Sequence, residues 1–172
     1  MKQIFTTQMD NTVKITTTIV HFAILPIPIV LYFQAGIELA LLNVLILGVL
    51  FSLSYVLRPY QYVIDELGIS VHKQLWPKKI PFHNIASIET IAYKELKVRL
   101  RLWGSGGLWG WFGFFLSAEY GTLNMQITEK NNLLLVTTKD EKYIVLSPTQ
   151  VIAFAEAVKK GMKQNLQKQE SK

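Results

Sequence analysis

The chain lacks cysteine, and over two long stretches near its N-terminus it also lacks charge. Without cysteine, disulfide bonds and thiolate metal sites are excluded, which agrees with a reducing compartment without proving one. No charged residue occurs between Lys14 and Glu38, and none between Glu38 and Arg58. About 20 apolar residues, rising about 1.5 Å each, cross a hydrocarbon core of about 30 Å. Both stretches are therefore long enough to span a membrane.

The two uncharged stretches predict membrane spans at about residues 15–33 and 39–57, joined by a tight turn. Pro26 and Pro28 are expected to kink the first span near its exit. A cleaved signal peptide is not expected, because the mostly polar segment 1–14 precedes the first apolar run. The sequence thus predicts a transmembrane helical hairpin.

Basic residues flank the predicted hairpin but are missing from its turn. Lys2 and Lys14 precede the first span, Arg58 follows the second, and the connection 34–38 contains neither Lys nor Arg. Cytoplasmic loops of membrane proteins carry the excess of Lys and Arg. The asymmetry predicts a multi-pass protein of the cytoplasmic (inner) membrane with both termini in the cytoplasm.

His21 is the one ionisable side chain inside a predicted span, and two interpretations of it are open. Ionisable groups at that depth are often functional, for instance in proton relays. Alternatively, the imidazole is neutral and hydrogen-bonded to the partner helix. If the hairpin turns near Gly36, His21 lies at about the depth of Phe51 and Ser52, and the Ser52 hydroxyl is the expected partner.

The remainder of the chain, residues 58–172, is long enough for one small domain, and its hydrophobic patterns predict seven short strands. A turn at Leu67-Gly68 separates the first two strands. Residues 96–103 alternate between apolar and basic side chains, which predicts a half-buried antiparallel strand with its apolar face inward. The predicted strands are residues 61–66, 69–75, 85–91, 96–103, 122–128, 133–137 and 142–146.

One amphipathic helix follows the predicted strands. Ser147, Pro148 and Gln150 form a capping-box pattern with Ser147 as the N-cap. An apolar stripe at helical spacing runs from Val151 to Met162, and the polar tail beyond it is expected to fray. The predicted organisation is a cytoplasmic N-terminal segment 1–14, a transmembrane hairpin 15–57, a globular domain 58–166 and a polar tail 167–172.

Seven antiparallel strands and one C-terminal helix form the pattern of a pleckstrin-homology (PH) domain. The chain resembles the bacterial PH-domain-containing membrane proteins, in which a two-helix hairpin precedes one PH-like domain. The resemblance covers about Tyr60 to Met162 and implies an α+β fold, a bent antiparallel sheet or barrel closed by a C-terminal helix. It also implies a binding or scaffold role without catalytic residues. It is carried by YVIDELGIS at 62–70, IPFHNIASI at 80–88, GSGGLWGWFG at 104–113 and Ser147-Pro148 ahead of Phe154.

The segment 103–116 combines five glycines with six aromatic residues. It lacks the Gly-Lys-Ser/Thr ending of a P-loop and the strand-to-helix setting of a dinucleotide fold, which excludes nucleotide binding by either motif. In one interpretation the rings enter the headgroup layer or pack on the hairpin. In the other they form the core of a small barrel, with glycines at its tight bends. The residues predicted for membrane or lipid contact are Trp109, Trp111, Phe112, Phe114 and Phe115.

All of the excess positive charge lies after the predicted hairpin, with sixteen Lys and Arg against ten Asp and Glu from residue 58 onward. Lys73, Lys78 and Lys79 cluster between two predicted strands. Contact with anionic lipid explains this cluster as well as solubility does. In many PH domains the loop between the first two strands binds phosphoinositides through basic residues. Here that position is Leu67-Gly68, without Lys or Arg, which argues against this mode of binding.

No catalytic residue, cofactor or metal is expected from the sequence. His72 and His83 lack metal-ligand spacing, and Ser105 has no identifiable base. Nucleic acid is not an expected partner, because no recognition motif accompanies the basic charge. The leading interpretation is a non-catalytic integral membrane protein whose PH-like domain binds a protein partner or anionic lipid at the cytoplasmic face. The alternative is an accessory subunit of a membrane transporter or enzyme complex, assembled through hairpin residues Asn43, Gly48, Ser52 and Ser54.

Overall fold

The computed structural model describes residues 2–170, which form four α-helices and ten β-strands. The helices are α1 (Asn11–Ile24), α2 (Pro26–Ala35), α3 (Ile37–Leu57) and α4 (Val151–Glu170). The strands are β1 (Gln3–Thr6), β2 (Gln61–Ile64), β3 (Gly68–His72), β4 (Lys78–Pro81), β5 (Ile85–Ile91), β6 (Val98–Gly106), β7 (Trp111–Ser117), β8 (Gly121–Ile127), β9 (Leu133–Thr138) and β10 (Tyr143–Leu146).

The first three helices form the hairpin expected from the sequence. α1 and α2 together form an apolar helical stretch of 25 residues, with a break at Leu25 just before Pro26, where the sequence predicts a kink. Gly36, at φ 89°, makes the turn into α3, whose 21 residues are apolar enough to cross a membrane. Only 6% of the most apolar window of each span is buried. So large an exposed apolar surface marks association with a membrane.

The N-terminal segment belongs to the globular domain rather than standing apart from it. β1 pairs antiparallel with β2, Thr6 opposite Gln61, so the whole hairpin is inserted in the connection between two adjacent strands. The Phe5 side chain is 9% exposed and packs edge-on against Phe154 of α4, with ring centroids 5.0 Å apart. Val13, in the first turn of α1, is fully buried in a domain core. This strand was missed in the sequence because its partner, β2, lies beyond the whole hairpin.

The strands form two sheets that share their central core. The smaller has the order β1-β2-β3-β4 and the larger the order β5-β9-β10-β8-β7-β6, in which β8 and β10 run parallel. One core lies between the two sheets and α4, where Ile69, Leu134 and Val158 are buried. A second core covers the other face of the larger sheet, around Met125 and Val145. The prediction of an α+β fold is confirmed, but three strands, β1, β4 and β7, were missed.

A buried hydroxyl network replaces the predicted helix cap. The Tyr62 hydroxyl donates to the carbonyl of Gln126 at 2.6 Å and accepts from the Ser147 N–H at 3.0 Å. Burial raises the pKa of Tyr62 to about 12. The Ser147 hydroxyl accepts the N–H of Thr128 at 3.0 Å, and α4 begins only at Val151. The prediction of Ser147 as N-cap is therefore wrong, because its hydroxyl is already engaged in tertiary contacts.

The far end of α4 extends into the segment predicted as a polar tail. The helix continues to Glu170. Of the predicted tail 167–172, Ser171 and Lys172 lie outside the described residues.

The strand predicted at 96–103 exists in part, but its apolar face is not buried. Leu96 is buried in a 3-10 turn, Tyr93–Leu96, and the strand β6 starts two residues later. Leu100 and Leu102 are 57% and 51% exposed. The prediction that the apolar face of this strand is buried is therefore wrong. β6 is the edge strand of the larger sheet, and the rest of the domain does not cover that face.

Candidate membrane-facing surface

The first turn of α1 is bonded directly to the domain. Asp10 caps the helix by accepting the Val13 N–H at 2.7 Å, and its other carboxylate oxygen accepts the Lys130 N–H at 3.2 Å. The Asp10 N–H in turn donates to the carbonyl of Thr128 at 3.3 Å. Capping by Asp is typical of helix starts. Here the same carboxylate also fixes α1 to the connection between β8 and β9.

The turn between β6 and β7 sits between α1 and α3. The Trp109 N–H donates to the Thr17 hydroxyl at 3.1 Å, and its ring packs edge-on against His21 and Tyr55, at 5.6 and 5.2 Å between centroids. A Cβ on Gly107 would lie 3.1 Å from the Thr16 side chain, so this approach favours glycine. Trp109 thus contacts both helices of the hairpin in the structure.

His21 lies at the predicted depth but has a different hydrogen-bond partner. Its ring packs against Phe51 with centroids 4.5 Å apart, as the hairpin geometry predicts. Its Nδ1 lies 2.6 Å from the carbonyl of Thr17, one turn earlier in α1. Because a carbonyl can only accept, Nδ1 is the donor. The prediction that Ser52 is the partner is wrong, because the bond is satisfied within the same helix.

The other predicted aromatic contacts divide between core and surface. Trp111, Phe112 and Phe115 are 5%, 3% and 3% exposed, so the core interpretation holds for these three rings. Lys130 Nζ lies 4.1 Å from the centroid of the Trp111 ring, a cation–π contact. Phe114, by contrast, is 44% exposed and points outward. The glycine-rich segment therefore serves both as hairpin contact and as core.

A second contact joins the domain to the end of α3. The Gln74 N–H, in the loop between β3 and β4, donates to the carbonyl of Val56 at 3.2 Å. Leu75 in the same loop lies beside α3, and Trp76 is 70% exposed next to it. The Arg58 guanidinium stacks 4.2 Å from the Tyr55 ring centroid. Aromatic and cationic side chains are typical of the membrane–water boundary, which is where this loop lies if α3 crosses the membrane.

The structure brings the three predicted lysines to this same end of the domain. Lys73 follows β3, and Lys78 and Lys79 begin β4; Lys73 and Lys78 are half-buried, whereas Lys79 is exposed. Burial, together with the nearby charges of Lys73 and Lys142, lowers the pKa of Lys78 to about 8. Burial also lowers the pKa of Lys73. The cluster is thus a concentration of positive charge in partly desolvated surroundings.

An apolar surface that was not anticipated from the sequence lies beside the lysines. Its residues share the outer face of the β6–β7 hairpin, where Leu100 pairs with Leu116 and Trp103 with Phe114. Trp103 is 62% exposed, and it lines a groove with Leu53 of α3. We call this surface the apolar ledge; it consists of Leu100, Leu102, Trp103, Phe114 and Leu116.

The comparisons with known proteins decide the family. Residues 60–162 match the bacterial PH domain family. The chain belongs to that family. The match runs from β2 into α4 and confirms the resemblance seen in the sequence, while β1 and the hairpin lie outside it. Comparison with curated proteins and with solved structures found no match.

In this bacterial PH domain, the loop between the first two strands of the matched region faces away from the hairpin. β2 starts at Gln61, next to α3, so the turn that follows β2 lies at its opposite end. Asp65 closes this turn by accepting the N–H groups of Leu67 and Gly68 at 2.8 and 3.0 Å. The basic cluster and the ledge lie elsewhere, beside α3. Within residues 2–170, no group of three His, Asp or Glu is placed to hold a metal ion.

Proposed function

We propose that this protein is a non-catalytic integral membrane protein that holds a PH-like binding domain against the cytoplasmic face of the inner membrane. The hairpin would cross the membrane twice and leave both termini in the cytoplasm. The observation that carries the proposal is the pairing of β1 with β2 on either side of the hairpin. Because these strands are neighbours in one sheet, α1 starts and α3 ends at the same side of the domain. The basic flanks then assign that side to the cytoplasm.

The surface turned toward the membrane in this arrangement has the chemistry of a lipid headgroup layer. Lys73, Lys78 and Lys79 supply cations, and each cation placed at an anionic leaflet contributes about 1 kcal/mol. Trp76 and the outward-facing Phe114 supply exposed rings beside them. We propose these five residues as the lipid contacts, with Trp109 as the contact to the hairpin. The free edges of the two sheets offer a protein partner places for strand addition.

The absence of cysteine makes the topology directly testable. We would introduce single cysteines by Gln34→Cys, at the hairpin turn, and Ile152→Cys, 74% exposed at the start of α4. Intact cells would be treated with a membrane-impermeant maleimide, before or after permeabilisation. We expect Gln34→Cys to be labelled in intact cells and Ile152→Cys only after permeabilisation. The reverse pattern, or equal labelling of both in intact cells, would refute the proposed topology.

A second candidate function, an accessory subunit that assembles through its hairpin, is favoured by one observation. Asn43 Oδ1, in the second turn of α3, is shielded from solvent and has no hydrogen-bond partner within residues 2–170. An unsatisfied amide oxygen at membrane depth is unfavourable and would gain from a donor on another span. Gly48, further along α3, has open space around it that would allow close approach of a second helix.

A further inference from the structure

The two sheets differ in width, and this creates a step on the surface of the domain. β4 is the last strand of the four-stranded sheet, while the larger sheet continues past it through β8, β7 and β6. A cleft of about 530 Å³ lies at the step. One wall is β4, and the other includes Phe114, Thr122 and Asn124. Phe114 of β7 pairs with Asn124 of β8, and Thr122 of β8 pairs with Leu116, which belongs to the ledge. The cleft therefore opens directly onto the apolar ledge.

The β4 wall of the cleft is cationic. Lys78 and Lys79 line it, and the charge of Lys73, just after β3, acts on Lys78. Lys142, at the opposite rim, forms an ion pair with Asp140 at 2.5 Å. The carboxylates of Asp140 and Glu141 also line the cleft, but within residues 2–170 neither forms an ion pair with Lys78 or Lys79. Burial and the like charges of Lys73 and Lys142 both lower the pKa of Lys78. An anion bound beside it would oppose both effects and favour the charged form of this lysine.

The ledge wall is apolar and continues onto the membrane helix. Leu102 and Trp103 line one groove together with Leu50, Leu53 and Leu57 of α3. Leu50 lies about two helical turns before the end of that helix. An acyl chain lying along α3 could therefore reach the ledge through this groove, whose rim also includes Ser54 and Arg101. The lysines of the cleft match the anionic headgroup of a phospholipid. The apolar ledge, which continues along α3, matches its acyl chains.

We propose that this step binds a single phospholipid with an anionic headgroup, drawn from the adjacent leaflet. Lys73, Lys78 and Lys79 hold its phosphate, and its acyl chain lies over Trp103 and Phe114. This inference rests on the proposed function, because only a domain held at the leaflet meets such a lipid. The bound acyl chain would cover the apolar side chains of the ledge, which would otherwise be exposed to water.

The test compares lipid binding by four forms of the full-length protein in mild detergent. These are the unmodified protein, Lys78→Gln/Lys79→Gln, Phe114→Asn, and the control Lys159→Gln/Lys160→Gln on the exposed side of α4. Each is titrated with phosphatidylglycerol or phosphatidylcholine, and bound lipid is counted by native mass spectrometry. We expect the unmodified protein to prefer phosphatidylglycerol. Removing two cations, at about 1 kcal/mol each, should weaken phosphatidylglycerol binding about thirtyfold. Phosphatidylcholine binding should weaken much less, because its choline cation offsets the charge of its phosphate.

The ledge and the headgroup contacts are tested separately. Phe114→Asn should weaken both lipids, whereas the Lys159→Gln/Lys160→Gln control should bind like the unmodified protein. Equal binding of the two lipids, or unchanged phosphatidylglycerol binding after Lys78→Gln/Lys79→Gln, would overturn the proposal. So would full competition by soluble glycerol phosphate, because the cleft would then bind a free anion without using the ledge. A failure here leaves the cysteine-labelling result intact, so it is distinguishable from a failure of the proposed topology.

Discussion

Phe5 provides the sharpest test of whether the N-terminal segment is part of the folded domain. Its ring is 9% exposed, lies against Phe154 of α4, and sits directly opposite Tyr62 in the β1–β2 pair. Replacing a buried Phe with Ala costs about 3–5 kcal/mol. Because Phe5 lies at the edge of its sheet, we expect the lower end, about 3 kcal/mol. That is a large share of the roughly 5–15 kcal/mol that stabilises a typical domain.

The measurement is urea unfolding of the full-length protein in mild detergent, followed by tryptophan fluorescence. Trp111 is 5% exposed and reports directly on the second core. With a denaturant dependence of about 1.5 kcal/mol per molar urea, Phe5→Ala should lower the unfolding midpoint by roughly 2 M. Ile4→Ala is the matched control, since Ile4 is 58% exposed on the other face of the same strand. Its effect should stay within about 0.5 kcal/mol.

Equal midpoints for Phe5→Ala and Ile4→Ala would show that β1 is not part of the cooperative unit. A further comparison uses two shortened polypeptides. Residues 58–170 alone lack Phe5 and leave the β2 edge unpaired, so we expect poor stability and aggregation. Joining residues 2–14 to 58–170 through a flexible linker restores the strand, and this form should unfold cooperatively. If both shortened forms behave alike, the reasoning about β1 fails.

Two further predictions concern the hairpin and the lysine cluster. If the hairpin assembles with other spans through Asn43, Asn43→Leu should release this protein from a larger complex in size-exclusion chromatography. The control Leu45→Ala should leave the complex intact. Equal elution of the two variants would remove the accessory-subunit alternative. The pKa of Lys78 falls from 10.5 to about 8 on folding, so between these values the unfolded state binds more protons. The free energy of unfolding should therefore rise with pH across that window, and an equally steep rise in Lys78→Gln would contradict the assignment.

Features that depend on local pattern were predicted well. The uncharged runs predicted the two long apolar helices, Pro26 marked the break between α1 and α2, and the glycine at position 36 marked the turn. The depth of His21 relative to Phe51 followed from helix geometry alone. The apolar helices, the break before Pro26 and the turn need no knowledge of tertiary contacts, and the position of His21 opposite Phe51 needs only the geometry of the hairpin itself. This is why single-sequence reasoning is sufficient for them.

Features that depend on contacts with distant parts of the chain could not be predicted from local sequence pattern. Alternation at Leu100 and Leu102 shows that one strand face is apolar, but not whether protein or lipid covers it. Ser147 carries a good capping pattern, yet its hydroxyl bonds to the N–H of Thr128 across the domain. β1 was missed because its partner, β2, lies beyond the whole hairpin in sequence. In each case a distant contact decides between two locally acceptable states.

Inserting the hairpin between two paired strands has a consequence for binding. The domain is fixed to the helices at three separate places: Asp10 to Lys130, Trp109 to Thr17, and Gln74 to Val56. Three separate attachments restrain rotation, so the lysine cluster and the ledge keep one orientation relative to the hairpin, and therefore toward the leaflet in the proposed topology. A domain on a flexible linker must lose orientational freedom each time it meets a lipid, and this one has already lost it. Contacts of about 1 kcal/mol each can then discriminate between headgroups, although the same contacts would be too weak to recruit a free domain.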